Sequence, residues 1–174
     1  MLLAALLLGF PGVAAAQEAF AGVYVHGVDT PFSLYTGEGG ADLVAGVRSE
    51  PIRALSPVGS PAVYAVGSIN TAGDTSFIGA GLSWRFGGGP IYVRPGLGLV
   101  VHDGPGLRFD PARNERTDLG SRVLFEPELA VGYQVNDTLS VEASWMHVSH
   151  ARLFDSQQNP GIDMMGVRVN SRLR

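Results

Sequence analysis

The pattern that limits the fold most is an alternation of apolar and polar side chains with a period of two residues. In residues 138–150 the side chains at every second position are mainly apolar, and most of those at the positions between them are polar. Successive side chains of a β-strand point to opposite faces, so this spacing predicts strands with one greasy and one polar face. Candidate strands, separated by turn-forming residues, are 22–27, 41–48, 62–69, 78–86, 91–99, 123–134, 138–150 and 163–173. The chain is therefore predicted to be all-β, with eight strands.

The polar faces carry charges of both signs, which favours a barrel over a soluble sandwich. The acidic and basic side chains on these faces are Glu126, Glu128, Glu142, Arg85, Arg94, Arg168 and Arg172. In a narrow barrel they would fill the interior and pair there, because a buried charge needs a partner. Aromatic residues near the ends of the apolar faces are typical of a membrane girdle: Trp84, Phe86, Tyr133 and Trp145. We therefore expect an eight-stranded antiparallel transmembrane β-barrel, with a secreted β-sandwich as the alternative.

The N-terminal segment predicts export. Residues 2–10 form an uncharged apolar run that is followed by small residues ending at Ala16, as in a signal peptide and its cleavage site. The run is shorter than the roughly 20 residues that a spanning helix needs. We expect residues 1–16 to be a signal peptide and residues 17–174 to be an outer-membrane barrel domain.

Composition excludes several other classes. The net charge of −4 argues against a nucleic-acid partner, because such proteins usually present a basic face. The absence of cysteine excludes disulfide frameworks and thiolate metal sites. The short connections at 86–90 and 134–137 predict periplasmic turns, and the long polar segments 102–121 and 150–160 predict external loops.

Two polar residues interrupt the apolar face of the seventh predicted strand near its outer end. His147 and Ser149 are two residues apart and therefore share the face of Trp145. Asp163 begins the eighth strand on the corresponding face. If residues 150–161 connect two antiparallel neighbours, the acid lies beside the imidazole, and all three side chains project from the lipid-facing wall.

These residue types suit nucleophilic catalysis. A serine hydroxyl is a weak nucleophile until a base accepts its proton, and a histidine such as His147 can be that base. Asp163 would then fix the tautomer and stabilise the imidazolium, as in other Ser–His–acid sites. The competing interpretation is a set of solvated rim residues with no catalytic duty, because a His-x-Ser pattern is weak by itself.

The same region resembles a known family. Residues 144–151 (SWMHVSHA), followed by residues 159–163 (NPGID), are similar to the C-terminal signature of the lipid A 3-O-deacylase (PagL-type) family. The resemblance implies an eight-stranded outer-membrane barrel, with His147 as base, Ser149 as nucleophile and Asp163 as the acid. It also implies Asn159 near the oxyanion, and no metal or other cofactor.

Two positions are unusual. His150 stands where the family often has asparagine, and the chain ends in Arg174 instead of the aromatic residue that is common at barrel C-termini.

The resemblance predicts a serine esterase of the outer membrane, with its active site toward the outer leaflet, that removes the 3-O-acyl chain of lipid A. Its partners would be lipopolysaccharide and outer-membrane lipids. The oligomeric state stays open, with a homodimer as one alternative. The competing functions are a non-catalytic small barrel that acts through its external loops, and a phospholipase.

Overall fold

The computed structural model describes residues 17–104, 108–110, 115–117, 119–153 and 159–173. The predicted signal peptide lies outside the described residues. The strands found in the described part of the chain are β1 (Glu18–His26), β2 (Ala41–Arg48), β3 (Ala62–Asn70), β4 (Phe77–Ser83), β5 (Ile91–His102), β6 (Arg108–Asp110), β7 (Glu115–Thr117), β8 (Val123–Gln134), β9 (Leu139–Val148) and β10 (Ile162–Arg172).

Eight of these strands close into an antiparallel barrel. The order around the barrel is β1-β10-β9-β8-β5-β4-β3-β2, and β1 also pairs with β2, so the sheet has no free edge. The short strands β6 and β7 pair with each other inside the connection between β5 and β8. The predicted eight-stranded barrel is confirmed. None of the helices in the described residues has the length and apolarity to cross a membrane.

The outer wall of the barrel is apolar. The alternating positions that face outward include Val23 at 57% exposure, Ile69 at 66% and Val167 at 55%. A soluble protein rarely exposes a continuous apolar surface of this extent, because its contact with water is unfavourable. The wall is therefore suited to lipid, as the alternation predicted.

The interior is a network of charged and hydroxyl side chains. The Arg168 guanidinium donates to both oxygens of Glu128, at 2.8 and 3.1 Å, and to Glu142 at 2.5 Å. The guanidinium of Arg94 donates to the other oxygen of Glu142 at 2.7 Å. These residues are buried, so the pairs compensate charges that would be costly alone.

Two of the predicted interior arginines lie elsewhere. Arg85 follows the end of β4 at the barrel mouth, where its guanidinium donates to Gln134 at 2.8 Å. Arg172, at the end of β10, is exposed. Both residues lie near strand ends, outside the buried ion pairs that Arg94 and Arg168 form. The interior instead contains Arg48, which the sequence did not single out and which pairs with Glu18.

The two ends of the barrel differ. One end, the short-turn end, has the connections 49–61, 84–90 and 135–138, the first of which contains the 3₁₀ helix Arg53–Val58. The other, the long-loop end, has the connections 27–40, 71–76, 103–122 and 149–161. Of the predicted girdle residues, Phe86 and Tyr133 are exposed at the short-turn end. Trp145 lies toward the long-loop end.

Replacing Arg168 with leucine should destabilise the barrel by about 3–5 kcal/mol, because the buried Glu128 loses its cationic partner. Arg172→Leu, at an exposed position of the same strand, is the matched control and should change stability by less than about 0.5 kcal/mol. Urea unfolding in detergent micelles measures both. Equal stabilities for the two variants would contradict the importance of the interior network.

Candidate active site

The candidate site lies on the outer wall, where β9 and β10 pair near the long-loop end. His147 and Asp163 are directly opposite each other in this antiparallel ladder. Ser149 comes just after β9, and its backbone N–H and C=O form a bridge with Phe125 of β8, at 3.0 and 2.8 Å. This bridge continues the strand alternation past its last residue, so the serine keeps the face of the histidine.

The three side chains form a continuous chain of hydrogen bonds. The distance between His147 Nδ1 and Asp163 Oδ1 is 2.9 Å, and the distance between His147 Nε2 and Ser149 Oγ is also 2.9 Å. An ionised carboxylate only accepts hydrogen bonds, so Nδ1 carries the ring proton of the neutral imidazole. The lone pair of Nε2 then faces the serine hydroxyl, which is the arrangement that a general base requires.

Asp163 is fully buried although its strand position faces outward. The indole Nε1 of Trp145 donates to its Oδ1 at 2.7 Å, and the Thr30 hydroxyl donates to its Oδ2. The backbone N–H of Val28 also donates to the Asp163 carbonyl at 2.9 Å. The connection between β1 and β2, residues 27–40, therefore covers the acid.

Sequence reasoning did not identify Thr30 as part of this site. It lies 133 residues before Asp163, and no strand pattern places it there. Trp145 was assigned to a girdle, but its ring stacks beside His147, with centroids 6.1 Å apart. The two-residue spacing of Trp145 and His147 was the signal that could have placed both in one site.

Asn159 contacts His150, the residue that follows Ser149. Its side-chain oxygen accepts the backbone N–H of His150 at 3.0 Å. Asn159 thus fixes the path of the chain just beyond Ser149.

The two residues after His150, Ala151 and Arg152, both have positive φ (52° and 58°), and the N–H of Leu153 closes the turn on the His150 carbonyl at 3.0 Å. Such backbone conformations are costly for residues with a side chain and are frequent at functional sites.

Gly161 packs against the imidazole. Its φ is +68°, and a Cβ at this position would lie 2.7 Å from His147 Cε1. A glycine is required here both for the left-handed backbone and for the closeness of the ring.

His26 faces the barrel interior. Its two ring nitrogens lie 2.7 Å from Asp42 and 2.9 Å from Glu38. Within the described residues, no group of three or more His, Asp or Glu side chains is arranged to hold a metal ion.

The apolar wall, the charged interior and the closed antiparallel sheet define an outer-membrane β-barrel, and the Ser–His–Asp chain on its wall is typical of a hydrolase. Residues 24–172 match the family described as "Lipid A 3-O-deacylase (PagL)". The chain belongs to this family of outer-membrane lipid A 3-O-deacylases. No curated protein sequence is significantly similar to the chain.

Solved structures of small barrels are similar to this one. The crystal structure of the outer-membrane enzyme PagL has a TM-score of 0.63 and 18% identity, and the match covers 90% of this chain and 99% of that one. The N-terminal barrel domain of Pseudomonas aeruginosa OprF has a TM-score of 0.55 and 8% identity, with 91% and 98% covered. Neisserial surface protein A has a TM-score of 0.51 and 12% identity, with 91% and 98% covered. At these identities the likeness establishes the fold.

Gly161→Ala should lower kcat by about a hundredfold, because the new methyl group displaces the His147 ring from its hydrogen-bond partners Asp163 and Ser149. Gly73→Ala is the matched control: φ there is +85°, but a Cβ would meet nothing within 4 Å. That control should lose only about 1 kcal/mol of stability and keep its activity. Release of fatty acid from lipopolysaccharide in detergent measures kcat. Full activity of Gly161→Ala would contradict the close packing.

Proposed function

We propose that this protein is a serine esterase that hydrolyses the ester bond of the 3-O-acyl chain of lipid A. The observation that carries the proposal is the hydrogen-bonded chain from Ser149 through His147 to Asp163, on the outer wall of a member of the lipid A 3-O-deacylase family. No metal or other cofactor has a role in it.

In the first half of the reaction, the Oγ of Ser149 attacks the acyl carbonyl carbon while its proton moves to Nε2 of His147. Asp163, which accepts from Nδ1, stabilises the positive imidazolium that forms. Collapse of the tetrahedral intermediate breaks the bond to the sugar oxygen, which takes the proton from Nε2 and leaves as the 3-hydroxyl of lipid A. The acyl chain stays on Ser149 as an ester.

In the second half, a water molecule attacks the acyl ester, and His147 accepts its proton. Collapse of this intermediate returns the proton to Ser149 and releases a 3-hydroxy fatty acid. Both intermediates carry a negative oxygen that needs donors. The side-chain oxygen of Asn159 faces the His150 amide, so the NH₂ group on the other branch of that side chain is the donor we propose for the oxyanion.

The position of the site on the wall suits an acyl substrate. Hydrolysis there does not require the acyl chain to leave the bilayer, because the neighbouring outward residues are apolar, among them Phe32 and Met165. We infer that the long-loop end faces the cell exterior, since barrels of this kind have their shorter turns in the periplasm. The active site then lies at the level of the outer leaflet, where lipid A is found, and residues 1–16 serve as the export signal.

Ser149→Ala should abolish deacylation, with a loss of at least about a thousandfold in kcat, because no nucleophile remains to form the acyl ester. Ser171→Ala, on the exposed outward face of β10, is the control and should be fully active. The measurement is the lipid A mass spectrum of cells that express each variant, with folding checked by heat-dependent mobility in gel electrophoresis.

Three results would contradict the proposal. Deacylation by folded Ser149→Ala would show that Ser149 is not the nucleophile. Release of fatty acid from glycerophospholipid and not from lipopolysaccharide would favour the phospholipase. No hydrolysis of either lipid by the folded wild type would favour a barrel that acts only through its loops.

A further inference from the structure

We propose that Thr30 is a positioning residue of this site, whose hydroxyl holds the carboxylate of Asp163 in the orientation that serves His147. The inference rests on the esterase function proposed above. Thr30 lies in the connection between β1 and β2, and its hydroxyl contacts the carboxylate of Asp163, so it would act through the acid.

The need for such a residue follows from the burial of Asp163. The carboxylate is fully buried, and an ionised carboxylate in that environment requires donors on both of its oxygens. Oδ1 accepts from His147 and Trp145, at 2.9 and 2.7 Å, and Oδ2 accepts from Thr30. The terminal torsion of an aspartate is broad, so donors on one oxygen alone leave the plane of the group loosely defined. The hydroxyl on the second oxygen fixes it.

The groups around the Thr30 hydroxyl set the direction of its hydrogen bond to Asp163. The backbone N–H of Phe32 donates to Thr30 Oγ at 3.0 Å and occupies one of its lone pairs. The carboxylate has no hydrogen to give, so the hydroxyl hydrogen of Thr30 points to Asp163. Thr30 is therefore a donor to the acid and not an acceptor from it.

Backbone hydrogen bonds made by residues on both sides of Thr30 hold it beside Asp163. On one side the N–H of Val28 donates to the Asp163 carbonyl at 2.9 Å, and on the other the N–H of Leu34 donates to the Pro160 carbonyl at 2.6 Å. Between them the ring of Phe32 lies 5.6 Å from that of Trp145. Together these contacts hold the segment that carries Thr30 in a fixed position beside the carboxylate.

The far end of the connection is anchored inside the barrel mouth. Glu38 lies 2.9 Å from the imidazole of His26 and accepts the hydroxyl of Thr75 at 2.9 Å. All three groups are buried or half-buried. The segment that carries Thr30 is thus tied to the barrel interior as well as to the site, which explains why a connection of this length has a defined path over the acid.

A positioning role predicts a particular kinetic result. If Thr30 acts through Asp163 and not through the substrate, loss of its hydroxyl should leave KM nearly unchanged. Proton transfer by His147 depends on the orientation of Asp163, so kcat should fall. A charge-assisted hydrogen bond of this kind corresponds to a loss of roughly ten- to a hundredfold.

The experiment compares Thr30→Val, which keeps the shape and removes the hydroxyl, with Thr30→Ser, which keeps the hydroxyl. The control is Thr71→Val, which removes a threonine hydroxyl that bonds the Ala41 carbonyl at 2.8 Å on another connection of the same end. Each full-length variant is assayed for kcat and KM on lipopolysaccharide, and for the rate at which a fluorophosphonate probe inactivates it. We expect Thr30→Val to lose kcat and probe reactivity together, and Thr30→Ser and Thr71→Val to keep most of both.

Several outcomes would overturn the inference. Wild-type kcat in Thr30→Val would do so, and so would a Thr30→Ser variant as slow as Thr30→Val, or an effect on KM alone. Thr30→Ala replaces the valine variant if that one does not fold. Ser149→Ala separates the two proposals, because activity in that variant refutes the esterase mechanism, whereas an inactive Ser149→Ala beside a fully active Thr30→Val refutes only the role of Thr30.

Discussion

The pairing of β9 with β10 is the constraint on which the site depends. In this ladder Asp163 lies opposite His147, and Arg168 lies opposite Glu142. The first pair faces the outside of the barrel and the second faces the inside. A shift of the register by one residue would exchange the two faces of a strand and send the acid into the interior. The ion pair inside the barrel and the hydrogen bond on its wall therefore specify the same register.

The acid is the most enclosed member of the site. A carboxylate on a lipid-facing wall would be costly if it were exposed to hydrocarbon, because no water is present there to solvate it. Trp145, Thr30 and His147 donate hydrogen bonds to the carboxylate, and the β1–β2 connection, which bonds the Asp163 main-chain carbonyl, covers it. The histidine side chain, at 11% exposure, remains at the surface where a substrate can approach it. The fold thus buries the carboxylate and leaves the imidazole accessible.

The sequence predicted those parts of this arrangement that depend on local geometry. A period of two residues places His147 and Ser149 on one face, and a hairpin brings Asp163 beside them. The role of Thr30 could not be predicted, because it depends on the path of a connection with no periodic pattern. Interior pairing was predicted correctly for Arg94 and Arg168 but wrongly for Arg85 and Arg172, since alternation gives the face of a residue and not its depth in the barrel.

The proposed esterase mechanism requires Ser149 to be the activated serine on the outer wall. Inactivating the folded enzyme with a fluorophosphonate and mapping the adduct by tandem mass spectrometry tests it most directly. Residues 123–152, one tryptic peptide, contain Ser140 and Ser144 on the inward face as well as Ser149. We expect one adduct, on Ser149, which is lost when Asp163 is replaced by alanine. An adduct on another serine, or inactivation with Ser149 unmodified, would contradict it.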